Sequence, residues 1–146
     1  MDIFKRIEQD HEKQRRLMAE LLDTEGDSER RRELFEEFCE EFEAHAAAEE
    51  HAFYAEMMKV EDTTEQSRHS VAEHQSAMEL VEKLRDTDMS SSAWLTTFKT
   101  LADENEHHMK EEEDEVFPLV KDTIPAEVRK RMLTEFNERK SEEQES

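Results

Sequence analysis

A polar pattern recurs across the two halves of this chain and limits what it can fold into. Shifted by 63 residues, the sequence places Asp10-His11 on Glu73-His74, His45 on His108, Glu49 on Glu112, Glu50 on Glu113 and Tyr54 on Phe117. The apolar residues keep the same register: Met18 falls on Val81, Leu21 on Leu84, Phe35 on Phe98 and Phe38 on Leu101. Each half therefore reads His, then 34 residues on, His-x-x-x-Glu. A spacing of four puts His45 and Glu49 on one helical face, and His108 and Glu112 on another.

Helices are the only element that suits the rest of the chain. It has one Gly and two Pro, and 42% of its residues are charged. Glu, Lys and Ala are poor strand formers, whereas a helix needs only a thin apolar stripe. The periodicity predicts a first helix from about Asp2 to Asp23, with Phe4, Ile7, His11, Met18 and Leu21 inward, ending near Gly26. A second is expected from Asp27 or Ser28 to about Val60, burying Phe35, Phe38, Phe42, His45, Glu49 and Ala52 or Phe53. Thr63-Thr64-Glu65-Gln66 reads as a capping box opening a third helix, which carries Val71, His74, Met78, Val81 and Leu84. The fourth begins at Ser90 to Ser92, with Trp94, Phe98, Leu101, Asn105, His108, Glu112, Val116 and Leu119 inward. Pro125 suits the start of a short fifth helix bearing Val128, Met132 and Phe136. The polar tail after Arg139 is expected to fray. The connections are short, so neighbours run antiparallel. The expected fold is all-α, an up-down-up-down four-helix bundle over residues 1–121 followed by a C-terminal helix and polar tail over residues 122–146.

Helix geometry brings the repeated residues together. From His11 the first helix rises through about 12 more residues, roughly 18 Å, and the second descends roughly 24 Å to His45. Allowing for the turn, the two histidines face each other at similar height, and the same holds for His74 and His108. His11, His45, Glu49, His74, His108 and Glu112 should thus share one interior layer. Six unpaired polar groups in a core would be costly, whereas imidazole and carboxylate together suit a cation. Four nitrogens and two carboxylates without a thiolate favour iron or manganese over a structural zinc. Two bridging carboxylates and two histidines per ion leave open coordination positions, so a dinuclear site is the natural reading.

Charge and length exclude other classes. A formal net charge of −21 opposes a nucleic-acid backbone or an anionic membrane surface as partner. Cys39 is the only cysteine, which rules out an intramolecular disulfide and fits a reducing compartment. The start MDIFKRIEQDHEKQ lacks the apolar run of a signal peptide. A cytoplasmic location follows as the expectation.

Taken together, Asp10-His11, His45-Ala-Ala-Ala-Glu49, Glu73-His74, His108-Met-Lys-Glu-Glu112 and Phe117-Pro118 resemble the hemerythrin-like HHE cation-binding family over roughly residues 1–121. The resemblance implies a non-haem centre of two iron ions inside the bundle. His11, His45, His74 and His108 would bind through ring nitrogens, and Glu49 and Glu112 would bridge. Oxygen-carrying hemerythrins have a His-x-x-x-His on the third helix, but here the positions four from His74 are Ser70 and Met78. Those carriers also have His-x-x-x-x-Asp on the fourth helix, where this chain has Glu113. The set of four His and two Glu is more similar to the di-iron domain of iron-sulfur-centre repair proteins.

Other polar residues have plainer explanations. His51, His69 and His107 lie off the seam and read as surface residues. Glu50 and Glu113 are within reach of ligand imidazoles, but a solvated face suits them better. Tyr54 and Phe117 read as core packing, with Tyr54 also in reach of a small bound ligand. Cys39, Met18 and Met78 read as filler. The expected function is binding or sensing of O₂, NO or peroxide at iron, with manganese or zinc as substitutes. Two alternatives remain: a di-iron enzyme that decomposes peroxide or acts in NO or iron-sulfur stress, and a metal-free helical interaction module. No catalytic residue is identifiable from the sequence.

Overall fold

The computed structural model describes residues 1–145, and among these there is no strand. Five helical rods follow in chain order. The first is α1 (Ile3–Leu22); the second runs from α2 (Glu29–Glu49) through a π-helical turn (Glu50–Tyr54) into α3 (Ala55–Met58). The third rod is α4 (Glu61–Arg85). The fourth runs from α5 (Ser92–Glu111) through a second π-helical turn (Glu112–Val116) into α6 (Phe117–Thr123), and the fifth is α7 (Ala126–Glu145). The first four form the antiparallel bundle, and α7 lies against α1 and α2.

Local chemistry sets the ends. The Asp2 side chain accepts from the Lys5 amide at 2.8 Å, and Ser28 accepts from the Arg31 amide at 3.1 Å, each satisfying a donor that the first helical turn leaves open. Gly26 turns the first connection at a φ of 58°, where a side chain would be strained. Arg31 then fastens that connection to the next hairpin. It donates to the Thr24 carbonyl and the Met89 carbonyl, and its guanidinium lies 4.7 Å from the Trp94 ring centroid.

Two expectations about the ends do not hold. The capping box at Thr63–Gln66 is absent: α4 begins earlier, at Glu61, and Thr63 and Thr64 lie inside its first turn. Their hydroxyls instead donate to the Met57 carbonyl at 2.6 Å and the Val60 carbonyl at 2.8 Å, adding to the backbone bonds that these carbonyls already accept where the chain passes from α3 to α4. The fifth helix is not short. It has 20 residues, the same length as α1, and its ordered part continues past Arg139. Lys140, assigned to a fraying tail, is buried, with Nζ 2.9 Å from both Asp10 and Glu41. Ser146 lies outside the described residues.

Two apolar clusters fill the bundle. One gathers Leu17, Leu21, Phe35, Phe38, Phe42, Val81, Leu84, Trp94, Phe98 and Leu101 towards the Gly26 end. The other gathers Ile3, Ile7, Phe53, Met57, Val116, Val120, Met132 and Phe136 at the opposite end. Each large side chain so buried contributes roughly 1.5–3 kcal/mol. Between the clusters lies a layer without apolar side chains from the repeat positions. His11 follows Ile7 on α1, and His45 and Glu49 follow Phe42 on α2. No helix among the described residues is long and apolar enough to cross a membrane.

Candidate metal centre

All six residues singled out by the repeat meet in this middle layer, and all are buried. Glu49 and Glu112 stand at its centre. Glu49 Oε1 lies 3.4 Å from His45 Nε2 and 3.1 Å from His74 Nε2. Glu112 Oε1 lies 3.1 Å from His11 Nε2, and its Oε2 lies 3.6 Å from His108 Nε2. Each carboxylate therefore serves one histidine from each half of the chain. The His74 and His108 rings pack edge to face at 4.8 Å, and those of His11 and His45 at 5.5 Å.

Three of the four outward ring nitrogens are hydrogen-bonded to a carboxylate. His45 Nδ1 pairs with Asp10 Oδ2 at 2.6 Å, and His108 Nδ1 with Glu73 Oε1 at 2.7 Å. His11 Nδ1 pairs with Glu113 Oε2 at 2.7 Å, while His74 Nδ1 has Glu50 Oε2 at 3.9 Å. Asp10 and Glu73 are equivalent under the 63-residue shift, as are Glu113 and Glu50. An outer carboxylate of this kind fixes the ring and leaves Nε2 free for a cation. The preference for a solvated Glu113 is thus overturned, since Arg15 and His11 draw it inward. The sequence had already paired Asp10-His11 with Glu73-His74, but gave no sign that each acid would serve the histidine of the neighbouring helix.

Tyr54 breaks the symmetry. Its hydroxyl lies 2.7 Å from Glu49 Oε1 and 2.5 Å from Glu112 Oε2, with its one proton between the two carboxylates, and 3.3 Å from His108 Nε2. It is therefore more than core packing. Its repeat counterpart, Phe117, has no hydroxyl and stacks on His11 with ring centroids 6.4 Å apart. Three other histidines stay outside, as expected. His51, His69 and His107 are exposed, and His69 and His107 face Glu111 at the surface.

The electrostatics fit a cation. Burial pushes the imidazole pKa values down, yet the neighbouring carboxylates outweigh it. Glu112 and Glu113 raise His11 to about 9, Glu49 and Asp10 raise His45 to about 10, and Glu49 and Glu50 raise His74 to about 10. Glu112 is held above the usual carboxylate range, by burial and by Glu49 beside it. Tyr54 is pushed well above its ordinary value, by burial and by the two carboxylates. Three inward atoms of the layer, His11 Nε2, Glu49 Oε2 and Glu112 Oε1, are buried without a hydrogen-bond partner. Such atoms are costly unless something positive lies between them. The donor atoms divide into two neighbouring groups that share Glu49, one of His11, His45, Glu49 and Glu112 and one of Glu49, His74 and His108. Within each group they lie no more than 4.8 Å apart.

Comparison with known proteins points the same way. The family model for the hemerythrin HHE cation binding domain matches residues 2–120. A solved structure, a hemerythrin HHE cation binding domain-containing protein from Mycobacterium kansasii, superposes with a TM-score of 0.87. At 18% identity, the match covers 99% of this chain and 88% of that one, so the likeness is one of fold, with the additional C-terminal helix included. No curated protein matches.

Proposed function

Because the chain belongs to the hemerythrin HHE cation-binding domain family, we propose that its buried layer holds two non-haem iron ions and presents them to a small ligand such as O₂, NO or a peroxide. The observation that carries this reading is the pair of donor groups sharing Glu49. His11 and His45 would serve one ion and His74 and His108 the other, with Glu49 and Glu112 spanning both. Manganese or zinc can be held by the same donors. Iron in this setting supplies the affinity for diatomic ligands and the electrons for their reduction.

The chain's own residues do the rest. Asp10, Glu73 and Glu113 hold the imidazole rings so that Nε2 faces inward. Glu49 and Glu112 bring negative charge that offsets the ions. Tyr54 holds a proton at its hydroxyl between the two carboxylates, where it can donate to a small ligand. The Phe42, Phe117 and Phe136 rings pack against ligand imidazoles and exclude water. This machinery suits binding or sensing, in keeping with a reducing cytoplasm.

A peroxide-decomposing or NO-stress enzyme is the second reading. It is favoured by Tyr54, whose hydroxyl is the nearest proton donor to the carboxylate pair. Two experiments divide the readings. His45→Ala and His108→Ala should each lower the iron retained per chain to about half or less, since each removes a ligand from a different ion. Unaltered iron content in both would remove the site. Adding O₂ or peroxide to the reduced protein then separates binding from catalysis: a reversible visible band marks a carrier or sensor, and sustained turnover an enzyme. A metal-free interaction module predicts no iron uptake at all.

A further inference from the structure

The two halves of the layer are alike in ligands but not in access. Between α4 and α5 a cleft of about 370 Å³ opens from the surface, and its floor is formed by His74 and His108. Ala77 and Asn105 form its buried walls, and Ser76, Asp103 and Glu104 stand at its exposed mouth. The repeat defines a twin groove between α1 and α2. There Gln14 replaces Ala77, Phe42 replaces Asn105 and Glu41 replaces Glu104.

That twin groove is closed in two ways. The larger Gln14 and Phe42 side chains are themselves buried, Gln14 accepting from Asn105 Nδ2 at 2.9 Å and Phe42 packing on His74. In addition, α7 lies across it. Phe136 packs against His45 at 5.7 Å between ring centroids, and Lys140 Nζ is bound to Glu41 at 2.9 Å. The hollow beside Phe117 and the one over Cys39 reach none of the six ligand candidates. His108, facing the open cleft, is the most exposed of the six at 6%, whereas His11 is fully buried.

We infer that the α4–α5 cleft is the route by which small ligands reach the centre, and that its acidic mouth admits neutral molecules over anions. This rests on the iron reading above. Ala77 is small where its repeat counterpart Gln14 is large, and α7 covers the His45 side, so the route opens at the His74 and His108 end. The lining of the cleft contains no Lys or Arg. Glu73 lines it too, and neither Asp103 nor Glu104 is ion-paired among the described residues. The exposed base in the lining, His107, is faced by Glu111 at 3.5 Å, so an acidic excess at the mouth, on a chain of net charge −21, repels anions and leaves O₂, NO and hydrogen peroxide unaffected.

The test measures how fast nitric oxide and azide bind to the iron-loaded protein, by stopped-flow absorbance, with iron content determined for every variant. Ala77→Gln copies the closed half, and Ser76→Trp obstructs the mouth from an exposed position that does not threaten folding. Both should slow nitric oxide binding by about tenfold or more at full iron content. Azide association with the parent should rise by about tenfold as ionic strength is raised, and should rise likewise in the Asp103→Asn, Glu104→Gln double variant. Nitric oxide association should respond to neither change. Unchanged nitric oxide rates in both obstructed variants overturn the route, and azide association that falls with salt overturns the selectivity. A parent that takes up no iron overturns the iron reading and the inference with it.

Discussion

At the scale of single residues, Tyr54 shows how a small difference marks two nearly equal halves. Its counterpart Phe117 has the same ring and helical position, so the hydroxyl alone distinguishes them. That hydroxyl offers its one proton to a pair of buried carboxylates, lying 2.7 Å from an oxygen of Glu49 and 2.5 Å from one of Glu112. Tyr54→Phe should therefore leave the helical fold intact while lowering the stability of the metal-free protein by about 1–3 kcal/mol in urea unfolding. The histidines and glutamates were legible because a polar residue on a buried helical face needs an explanation, and the repeat supplied one twice. Tyr54 was only partly legible, because an aromatic ring on that face needs no polar reason. Cys39 is the plain case of a residue that packs. Burial pushes its thiol up to about 12 from an ordinary 9.0. Between those values the unfolded chain loses the thiol proton and the folded chain keeps it, so this contribution to stability is complete below pH 9 and is lost as pH rises towards 12. A disulfide reagent should leave Cys39 unmodified in the native protein at mildly alkaline pH and label it on unfolding; rapid native labelling would contradict its burial.

At the scale of elements, the two π-helical turns occupy equivalent places in the two halves, beginning at or just after the carboxylates Glu49 and Glu112. Each inserts a residue's worth of extra turn, which rotates the face that follows. A uniform helical period therefore placed Leu119 inward, whereas Phe117 and Val120 are buried and Leu119 is half-exposed. Nothing in the local residue types announces such a turn, so helix faces were legible up to the carboxylates and drifted beyond them. The fifth helix escaped for another reason. Lys140 continues the stripe of Met132 and Phe136, but a lysine reads as solvent unless its partners are known. They are Asp10 and Glu41, distant in sequence and both buried. Lys140→Met should thus destabilise the protein by about 3 kcal/mol, because it strands two buried carboxylates, and Arg6 and Lys13 relieve only part of that cost. It should also weaken iron binding by about tenfold, since Asp10 loses a partner that holds it against His45. Loss of stability with unchanged iron affinity would confine α7 to a structural role.

At the scale of the whole molecule, the charge of −21 on 146 residues is a self-repulsion that the fold tolerates. Raising ionic strength from about 0.01 to about 0.15 M should raise the thermal midpoint of the metal-free protein, because screening weakens repulsion over distances near the Debye length. A midpoint that falls with salt would mean that the surface ion pairs outweigh the net repulsion. The bundle itself was legible because the composition leaves no other element and the short connections leave little choice of topology. The joining of two half-sites through shared carboxylates was legible from the repeat, whereas the closing of one half by α7 was not. The central claim is that the repeated layer binds iron as a pair. Iron retained per chain, after loading with ferrous ion without oxygen and removal of free metal, tests it most directly. About two per chain is the predicted result, one for each pair of histidines; protein that retains no iron would contradict the account.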